Sequence, residues 1–197
     1  MTEPPRLNPI AFWFLRHGET DWNAQGLSQG STDIPLNKVG IAQAERAART
    51  LRGLGLGITA VIASPLMRAR VTAEHAAAAL GLPVAIEHDL REVEFGAQEG
   101  EPMGDWYDDW IAGRYTPEGA ETFAALHARA VAAVNRATAR PGPVLLVAHG
   151  ALFRALRLAF GHEPNVRTPN ALPILCAPPR DGGTVWEVTP ATLAAEA

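Results

Sequence analysis

The sequence is poor in cysteine and in long apolar runs, and each shortage narrows what the protein can be. Its single cysteine, Cys176, cannot form an internal disulfide, so nothing in the 197-residue chain requires an oxidising compartment. No apolar run approaches the ~20 residues that span a bilayer. The opening segment Met1–Pro9 lacks the basic and apolar regions of a cleaved signal. These features predict a cytoplasmic protein without a membrane partner.

Lysine is also scarce, and the overall charge is negative. Lys38 is the only lysine among 17 cationic side chains, so nearly all cations are arginines, whose planar guanidinium suits bidentate binding of phosphate. The 21 acidic residues give a formal charge of −4, which provides no general attraction to nucleic acid. Nucleic acid is therefore not expected as a partner.

Apolar strands alternate with helical patterns along the chain. Strands are predicted at Ile10–Leu15, Ala60–Ala63, Pro83–Ile86, Pro143–Ala148, Pro173–Ala177 and Thr184–Val188, the last two around a turn at Asp181–Gly183. Helices are predicted from a cap at Asn37 to about Gly53, from a cap at Ser64 to Leu80, and over Glu121–Arg140 and Ala151–Phe160. Residues 21–36 are predicted to be a long connection. This alternation predicts an α/β protein, a three-layer α/β/α sandwich with a mainly parallel central sheet.

The length predicts one domain over residues 10–197, preceded by a disordered or extended tail over residues 1–9. Residues 87–119, here called the acidic segment, interrupt the alternation with many carboxylates and glycines. The neighbouring aromatic side chains Trp106, Tyr107 and Trp110 are expected either to cap a pocket or to anchor this segment to the core.

Two histidines directly follow apolar strands, in Arg16-His17-Gly18 and in His149-Gly150. Because the carboxyl ends of parallel strands meet at one edge of a sheet, where ligands bind, we expect His17 and His149 to lie close together. An imidazole can attack phosphorus, and a guanidinium can hold two phosphate oxygens. Taken alone, however, the first tripeptide more readily describes a strand-end histidine bonded to a neighbouring carbonyl.

Four blocks resemble, in order, the motifs of the histidine phosphatase (phosphoglycerate mutase-like) superfamily. The blocks are Arg16–Asn23 with its following loop to Leu36, Ser64–Ala69, Leu90–Gly96 with Glu99-Gly100, and Val147–Gly150. Four ordered matches are far more specific than one. The resemblance implies the phosphoglycerate mutase-like fold, a small phosphate ester as substrate, a phosphohistidine intermediate, and no cofactor.

The resemblance also implies a role for each matching residue. His17 would accept the phosphoryl group, and Glu92 would donate and accept the proton. The phosphate oxygens would be held by Arg16, Arg68 and His149, with further contacts from Asn23, Gln29 and Gly150. Glu94, two residues further on, is the rival of Glu92, and only one of the two is expected to reach the pocket. A metal site is not expected, because Arg16 and Arg68 would repel a cation.

Three functions remain open: a phosphatase, a cofactor-dependent phosphoglycerate mutase, and a phosphate-binding scaffold without turnover. Mutases of this family carry a longer basic insertion after the third block, whereas here Glu92–Gly119 contains Arg114 as its only cation. We therefore expect a phosphatase of the metal-independent type. An acidic rim formed by this segment would favour a neutral or cationic leaving group. No pattern indicates the oligomeric state.

Overall fold

A six-stranded sheet forms the centre of the structure, a computed structural model that describes residues 5–180 and 182–191. The strands are β1 (Phe12–Arg16), β2 (Ala60–Ala63), β3 (Val84–Ile86), β4 (Val144–Ala148), β5 (Pro173–Ala177) and β6 (Glu187–Pro190). Their order across the sheet is β3-β2-β4-β1-β5-β6. Strands β1 to β4 pair in parallel, and β5 runs antiparallel to both of its neighbours. The sheet is therefore mainly parallel, as predicted.

Helices cover both faces of this sheet. They are α1 (Asp21–Gln25), α2 (Lys38–Leu54), α3 (Met67–Leu80), α4 (Trp106–Ile111), α5 (Phe123–Thr138) and α6 (Gly150–Ala159). Buried side chains of α2 and α3 pack with Leu145 and Val147 of β4. Buried side chains of α4, α5 and α6 pack with Val144 and Leu146 of the same strand. Alternate residues of β4 thus face opposite helical layers, which explains its continuous apolar run. The predicted three-layer sandwich is confirmed. No helix in the described part of the chain is long and apolar enough to span a bilayer.

The start of α3 differs from the prediction. Helix α3 begins at Met67, and its first N–H donates to the carboxylate of Asp33 at 2.8 Å. The predicted cap, Ser64, does not bind the helix, since its hydroxyl accepts from Leu66 and lies 2.7 Å from His149. The cap is thus supplied by Asp33 in a loop distant in sequence, and Ser64 instead contacts His149 at the carboxyl edge of the sheet.

Two further segments also differ from the prediction. The connection after Thr20 contains the short helix α1, because Thr20 and Asn23 form a reciprocal capping box. The last strand begins at Glu187 instead of Thr184, because the N–H of Trp186 donates to the carbonyl of Phe160 and not to the sheet. In the predicted turn before it, Asp181 lies outside the described residues.

The N-terminal segment is attached to the fold where the structure describes it. The backbones of Arg6 and Asn8 form hydrogen bonds with the side chain of Asn135 in α5. Leu7 is partly buried against the core. The segment from Arg6 to Asn8 is thus attached to α5, while residues 1–4 of the predicted tail lie outside the described residues.

The loop after β1 lies directly against the start of α2. A Cβ atom on Gly18 would collide with the carbonyl group of Gly40, and one on Gly40 would collide with the backbone of Glu19. The N–H of Gly18 also donates to the hydroxyl of Thr72 at 3.0 Å. Only glycine permits this approach of two backbones, and the approach fixes the chain immediately after the first strand.

Candidate active site

Strands β1 and β4 bring the two strand-end histidines together. Arg16 pairs with Ala148 in parallel register, so His17 and His149 are each the first residue beyond a strand. Their ring centroids lie 5.3 Å apart, with the ring planes at 54°. The predicted proximity of these histidines is confirmed.

The hydrogen bonding of His17 determines which ring nitrogen is free. Its Nδ1 lies 2.6 Å from the carbonyl oxygen of Gly18. Because a carbonyl oxygen only accepts, Nδ1 carries the proton and Nε2 retains its lone pair. Burial, together with the nearby charges of Arg68 and Arg16, lowers the pKa of His17 well below its usual value. The ring is therefore neutral at neutral pH, as a nucleophile requires.

Two buried guanidinium groups lie at the same edge. Arg68 donates to the carbonyl oxygens of Thr32 at 2.8 Å and Gly30 at 2.7 Å, and Arg16 donates to that of Thr168 at 2.7 Å. Burial lowers the pKa of each arginine to about 10, so both remain cationic at neutral pH. Their Nε–H groups have no hydrogen-bond partner within the described residues. An unpaired buried donor costs about 1–3 kcal/mol. The arrangement therefore offers charge and donors to an anion.

The loop that holds Arg68 is itself held by Glu99. The Glu99 carboxylate accepts from the N–H and hydroxyl of Ser31, both at 2.8 Å, and from the N–H and hydroxyl of Thr32. A Cβ on Gly30, whose φ is +55°, would collide with this carboxylate. Sequence reasoning assigned no role to Glu99. The available signal was its place at the end of the third motif.

Glu92 reaches the site and Glu94 does not. Glu92 is buried in the cavity wall, whereas Glu94 is exposed at the surface. The Glu92 carboxylate accepts from the N–H groups of Ala151 and Leu152, both at 2.9 Å, and of Val93 at 3.1 Å. Ala151 and Leu152 belong to the first turn of α6, so the positive end of that helix binds this carboxylate.

Asn23 and Gln29 line the cavity, but their amide groups are engaged with protein atoms. Asn23 Nδ2 donates to Gln29 Oε1 at 3.2 Å, and the same oxygen accepts from the hydroxyl of Thr20 at 2.9 Å. Gln29 Nε2 donates to the carbonyl of Ile34 at 3.4 Å, and Asn170 donates to Asn23 Oδ1 at 3.3 Å. Each of these amide nitrogens uses one of its two N–H donors in these bonds, so the second remains for an anion.

His149 lies behind the cavity wall. It is fully buried, and its Nε2 lies 2.7 Å from the hydroxyl of Ser64. Its Nδ1 has no hydrogen-bond partner within the described residues, and its ring packs against that of His17, which lines the cavity. Gly150 does line the cavity, and a Cβ there would lie 3.3 Å from Arg16 Nε. The missing side chain at this position leaves room for the guanidinium.

The side chains enclose a cavity of about 60 Å³ beside a wider cleft of about 260 Å³. Residues common to the walls of both are Arg16, Asn23, Leu27, Met103 and Arg154. The cleft also includes Gly26 and Arg167. The inner cavity admits only a small group, so the remainder of any larger ligand must lie in the cleft.

The acidic segment does not form an acidic rim around this cleft. Glu92 is the only carboxylate among the residues that line the cavity and the cleft. Asp109 pairs with Arg114 at the surface, and Asp105 and Asp108 line an adjoining depression that shares Met103 and Arg154 with the cleft. The predicted rim is wrong, and the neutral or cationic leaving group inferred from it loses its basis.

The two roles predicted for the aromatic residues of α4, capping a pocket and anchoring the acidic segment, belong to different residues. Trp110 is fully buried, donates to the carbonyl of Glu121 at 2.9 Å and packs edge-on against Phe95 and Phe123. It anchors the acidic segment to the core. Tyr107 lines the cavity, and burial raises its pKa to about 12, so its hydroxyl keeps its proton.

Other features of the structure do not suggest a competing site. In residues 5–180 and 182–191, no three His, Cys, Asp or Glu side chains are grouped so as to hold a metal ion. A larger hollow of about 560 Å³ lies at the opposite edge of the sheet and is mostly apolar. It contains Arg140 as its only charged wall residue, so the chemistry lies with the smaller cavity.

Proteins similar to this chain are named as phosphatases or as a phosphoglycerate mutase. The chain is 38% identical over 162 residues to the "Uncharacterized phosphatase PhoE" of Bacillus subtilis, covering 80% of this chain and 81% of that protein. It is 36% identical over 153 residues to the "Probable phosphoglycerate mutase GpmB" of Yersinia pestis, covering 72% and 70%. A mycobacterial glucosyl-3-phosphoglycerate phosphatase solved with VO3 superposes with a TM-score of 0.75 and 28% identity, over 91% of this chain and 97% of that one.

A family model matches most of the domain. It is that of the histidine phosphatase superfamily (branch 1), and the match covers residues 12–171, from the first strand to the segment before β5. The matched range contains both strand-end histidines, Arg16, Arg68 and Glu92. The chain therefore belongs to the histidine phosphatase superfamily.

Proposed function

We propose that the protein is a phosphomonoesterase that hydrolyses a small phosphate ester through a phosphohistidine at His17. One observation carries the proposal: a neutral imidazole with a free Nε2 shares one small cavity with the unpaired donors of Arg16 and Arg68. The family relationship and a relative that is named a phosphatase support it.

In the first step, the lone pair of His17 Nε2 forms a bond to phosphorus while the ester P–O bond breaks. The guanidinium groups of Arg16 and Arg68 bind the equatorial oxygens, on which the transition state spreads its charge. The departing alkoxide takes a proton from Glu92. The Glu92 carboxylate that remains recovers a proton in the second step.

In the second step, water gives a proton to the Glu92 carboxylate and its oxygen attacks phosphorus. The N–P bond breaks, and neutral His17 and inorganic phosphate are formed. In this scheme His149 positions the ring of His17, and Gly150 leaves space for Arg16. Asn23 and Gln29 form part of the cavity wall and supply amide hydrogen bonds to phosphate through the N–H donors that their bonds within the protein leave unused.

Two alternatives remain distinguishable by experiment. A mutase would return the phosphoryl group to a phosphoglycerate, the reaction named for one of the relatives. A scaffold would bind phosphate without turnover. The acidic segment contributes Glu92, Phe95, Met103 and Tyr107 to the cavity and no cation, which favours a phosphatase over the mutases with a basic insertion.

The test is incubation with p-nitrophenyl phosphate and a panel of sugar and nucleotide phosphates in the presence of EDTA. We expect phosphate release, and mass spectrometry of rapidly quenched samples should detect an acid-labile phosphoryl group on His17. His17→Ala should abolish both signals, and His88→Gln should retain both, because His88 is exposed and outside the site.

Three results would contradict the proposal in different ways. Turnover only with 2,3-bisphosphoglycerate, and with 3-phosphoglycerate as acceptor, would identify a mutase. Phosphate binding without turnover of any ester would identify a scaffold. Activity that EDTA removes and a divalent cation restores would contradict metal independence.

A further inference from the structure

Three arginines line the outer cleft without a carboxylate among the cleft residues. They are Arg16, Arg154 and Arg167. Burial lowers the pKa of Arg16 most, the Glu92 carboxylate raises it, and the positive charges of Arg154 and Arg167 lower it further, so each of these two cations repels Arg16. Within residues 5–180 and 182–191, no carboxylate lies at ion-pair distance from Arg154 or Arg167. A group of like charges of this kind is stabilised by an anion between them.

Arg154 is held in a fixed orientation at the boundary between the cavity and the cleft. Its Nη1 donates to the hydroxyl of Tyr107 at 3.1 Å, and its guanidinium carbon lies 4.9 Å from the centre of that ring. Its buried Nε–H has no hydrogen-bond partner in the described part of the chain. Arg154 therefore has an orientation set by the protein and a donor that remains unused.

Arg167 lies in the segment between α6 and β5 and is exposed. Its side chain lines the cleft and not the inner cavity, so it cannot share the reacting phosphate in the way that Arg16 can. Beyond Arg154 the carboxylates of Asp105 and Asp108 line the adjoining depression and would repel an anion there. The favourable position for a second negative charge is thus the side of the cleft nearer Arg167.

We propose that Arg154 and Arg167 bind a second anionic group, a carboxylate or a phosphate, on the alcohol part of the substrate. This inference rests on the proposed function, which places the reacting phosphoryl group in the inner cavity. The cleft of about 260 Å³ limits the remainder to a small group. Guanidinium groups bind carboxylates and phosphates through paired N–H donors, which gives the preference both strength and geometry.

Matched substrates isolate the second charge. 3-Phosphoglycerate and glycerol 3-phosphate differ by a carboxylate in place of a hydroxymethyl group, and fructose 1,6-bisphosphate and fructose 6-phosphate differ by one phosphate. The measurement is kcat/KM for phosphate release with each ester, without bisphosphoglycerate. We expect the wild-type protein to prefer the more anionic member of at least one pair by about 10-fold or more, as for a hydrogen bond between charged groups. The pair that responds identifies whether the cleft selects a carboxylate or a phosphate.

Single variants test whether the arginines of the cleft cause the preference for the more anionic ester. Arg167→Gln should reduce the preference by about 10-fold, since an exposed side chain can be replaced without disturbing the core. Arg154→Gln should reduce it as well, and thermal unfolding measures any loss of stability from its contact with Tyr107. Arg49→Gln is the matched control, because Arg49 is exposed on α2, on the opposite face of the sheet. It should leave the preference unchanged.

The outcomes separate this inference from the proposed function. Hydrolysis of both members of each pair with equal kcat/KM, through a phosphohistidine, would overturn the inference and leave the phosphatase intact. A preference that survives in both Arg154→Gln and Arg167→Gln would also overturn it. If no ester phosphorylates His17, the proposed function fails and the inference fails with it.

Discussion

The imidazole rings of His17 and His149 lie side by side with their centroids 5.3 Å apart, and both are buried among cationic side chains. Burial is the largest cause that lowers the pKa of each ring, and the charges of Arg68 and Arg16 add to it. The folded protein therefore holds two neutral histidines in a region that strongly resists their protonation.

The free energy of unfolding should fall as the pH drops below about 6.5. The unfolded chain takes up protons at His17 and His149 near their ordinary pKa of about 6.5, while the folded chain does not. Protonation then favours the unfolded state by up to about 1.4 kcal/mol per histidine for each pH unit. Above pH 6.5 both states are neutral at these positions and the effect disappears. Urea unfolding between pH 7.5 and 5.0 measures the slope.

Single variants test which histidines cause this slope. His149→Gln should make it shallower by about 1.4 kcal/mol per pH unit. His88→Gln removes an exposed histidine and should leave it unchanged. A free energy of unfolding that stays constant from pH 7.5 to 5.0 in the wild-type protein would contradict two buried neutral rings.

Replacement of Glu92 should have an effect that depends on the leaving group. Glu92→Gln cannot supply a proton, so hydrolysis of alkyl phosphates should fall by about 100-fold or more, as for loss of a general acid. p-Nitrophenolate leaves without a proton, so formation of the phosphohistidine from p-nitrophenyl phosphate should slow much less. Rapid-quench measurement of that step compares the two esters. Glu94→Gln is the control at the exposed neighbouring position, and an equal loss with both esters would argue against a proton donor at position 92.

Arg68→Lys should weaken binding of the phosphoryl group although the charge is kept. The Arg68 guanidinium donates to Thr32 and Gly30 while its Nε–H remains free, and a lysine ammonium cannot reproduce this planar set of donors. We expect kcat/KM to fall by about 100-fold and inhibition by vanadate to weaken. Arg70→Lys, an exposed position in the same helix, should have no such effect. Unchanged vanadate inhibition in Arg68→Lys would show that the charge alone suffices.

Glu99→Gln should impair the site from a distance. Burial alone would raise the pKa of Glu99, but hydrogen bonds from Thr32 and Ser31 lower it, so the side chain is ionised at neutral pH. The amide replaces one acceptor with a donor, which faces the N–H and hydroxyl groups of the loop. Because that loop positions Arg68, kcat/KM should fall by about 10-fold or more, as for loss of a charge-assisted hydrogen bond.

Vanadate affinity should decrease in Glu99→Gln as well, which a purely local loss of stability would not produce. Glu101→Gln, exposed in the same segment, is the control. Wild-type vanadate affinity in Glu99→Gln would separate Glu99 from the positioning of Arg68.

The sheet and the strand-end histidines were predictable because their signals are local. β4 is apolar at every position, as a strand buried on both faces must be, and His17 and His149 follow directly from where such strands end. Glu92 could be preferred to Glu94 because of its place in the third motif, since residues two positions apart in an extended chain face the same side and alternation cannot separate them.

The remaining features depend on contacts that no local pattern encodes. Glu99 binds Ser31 across 68 positions, and Asp33 caps a helix that begins 34 positions later. The charge of the acidic segment was evident in the sequence, but the directions of its side chains were not. Apart from Glu92 in the cavity wall, its carboxylates do not line the cleft, whereas Arg16 of β1, Arg154 of α6 and Arg167 after α6 do.

The contact between Gly18 and Gly40 limits how this site can change by mutation. A methyl group at either position meets main-chain atoms, which have no alternative rotamer with which to make room. A second substitution elsewhere can change a side chain, but it cannot remove the main-chain atoms that the methyl group would meet. Neither glycine can therefore be replaced by a larger residue unless the backbone moves, whereas substitutions at the exposed positions of α2 meet no such obstacle.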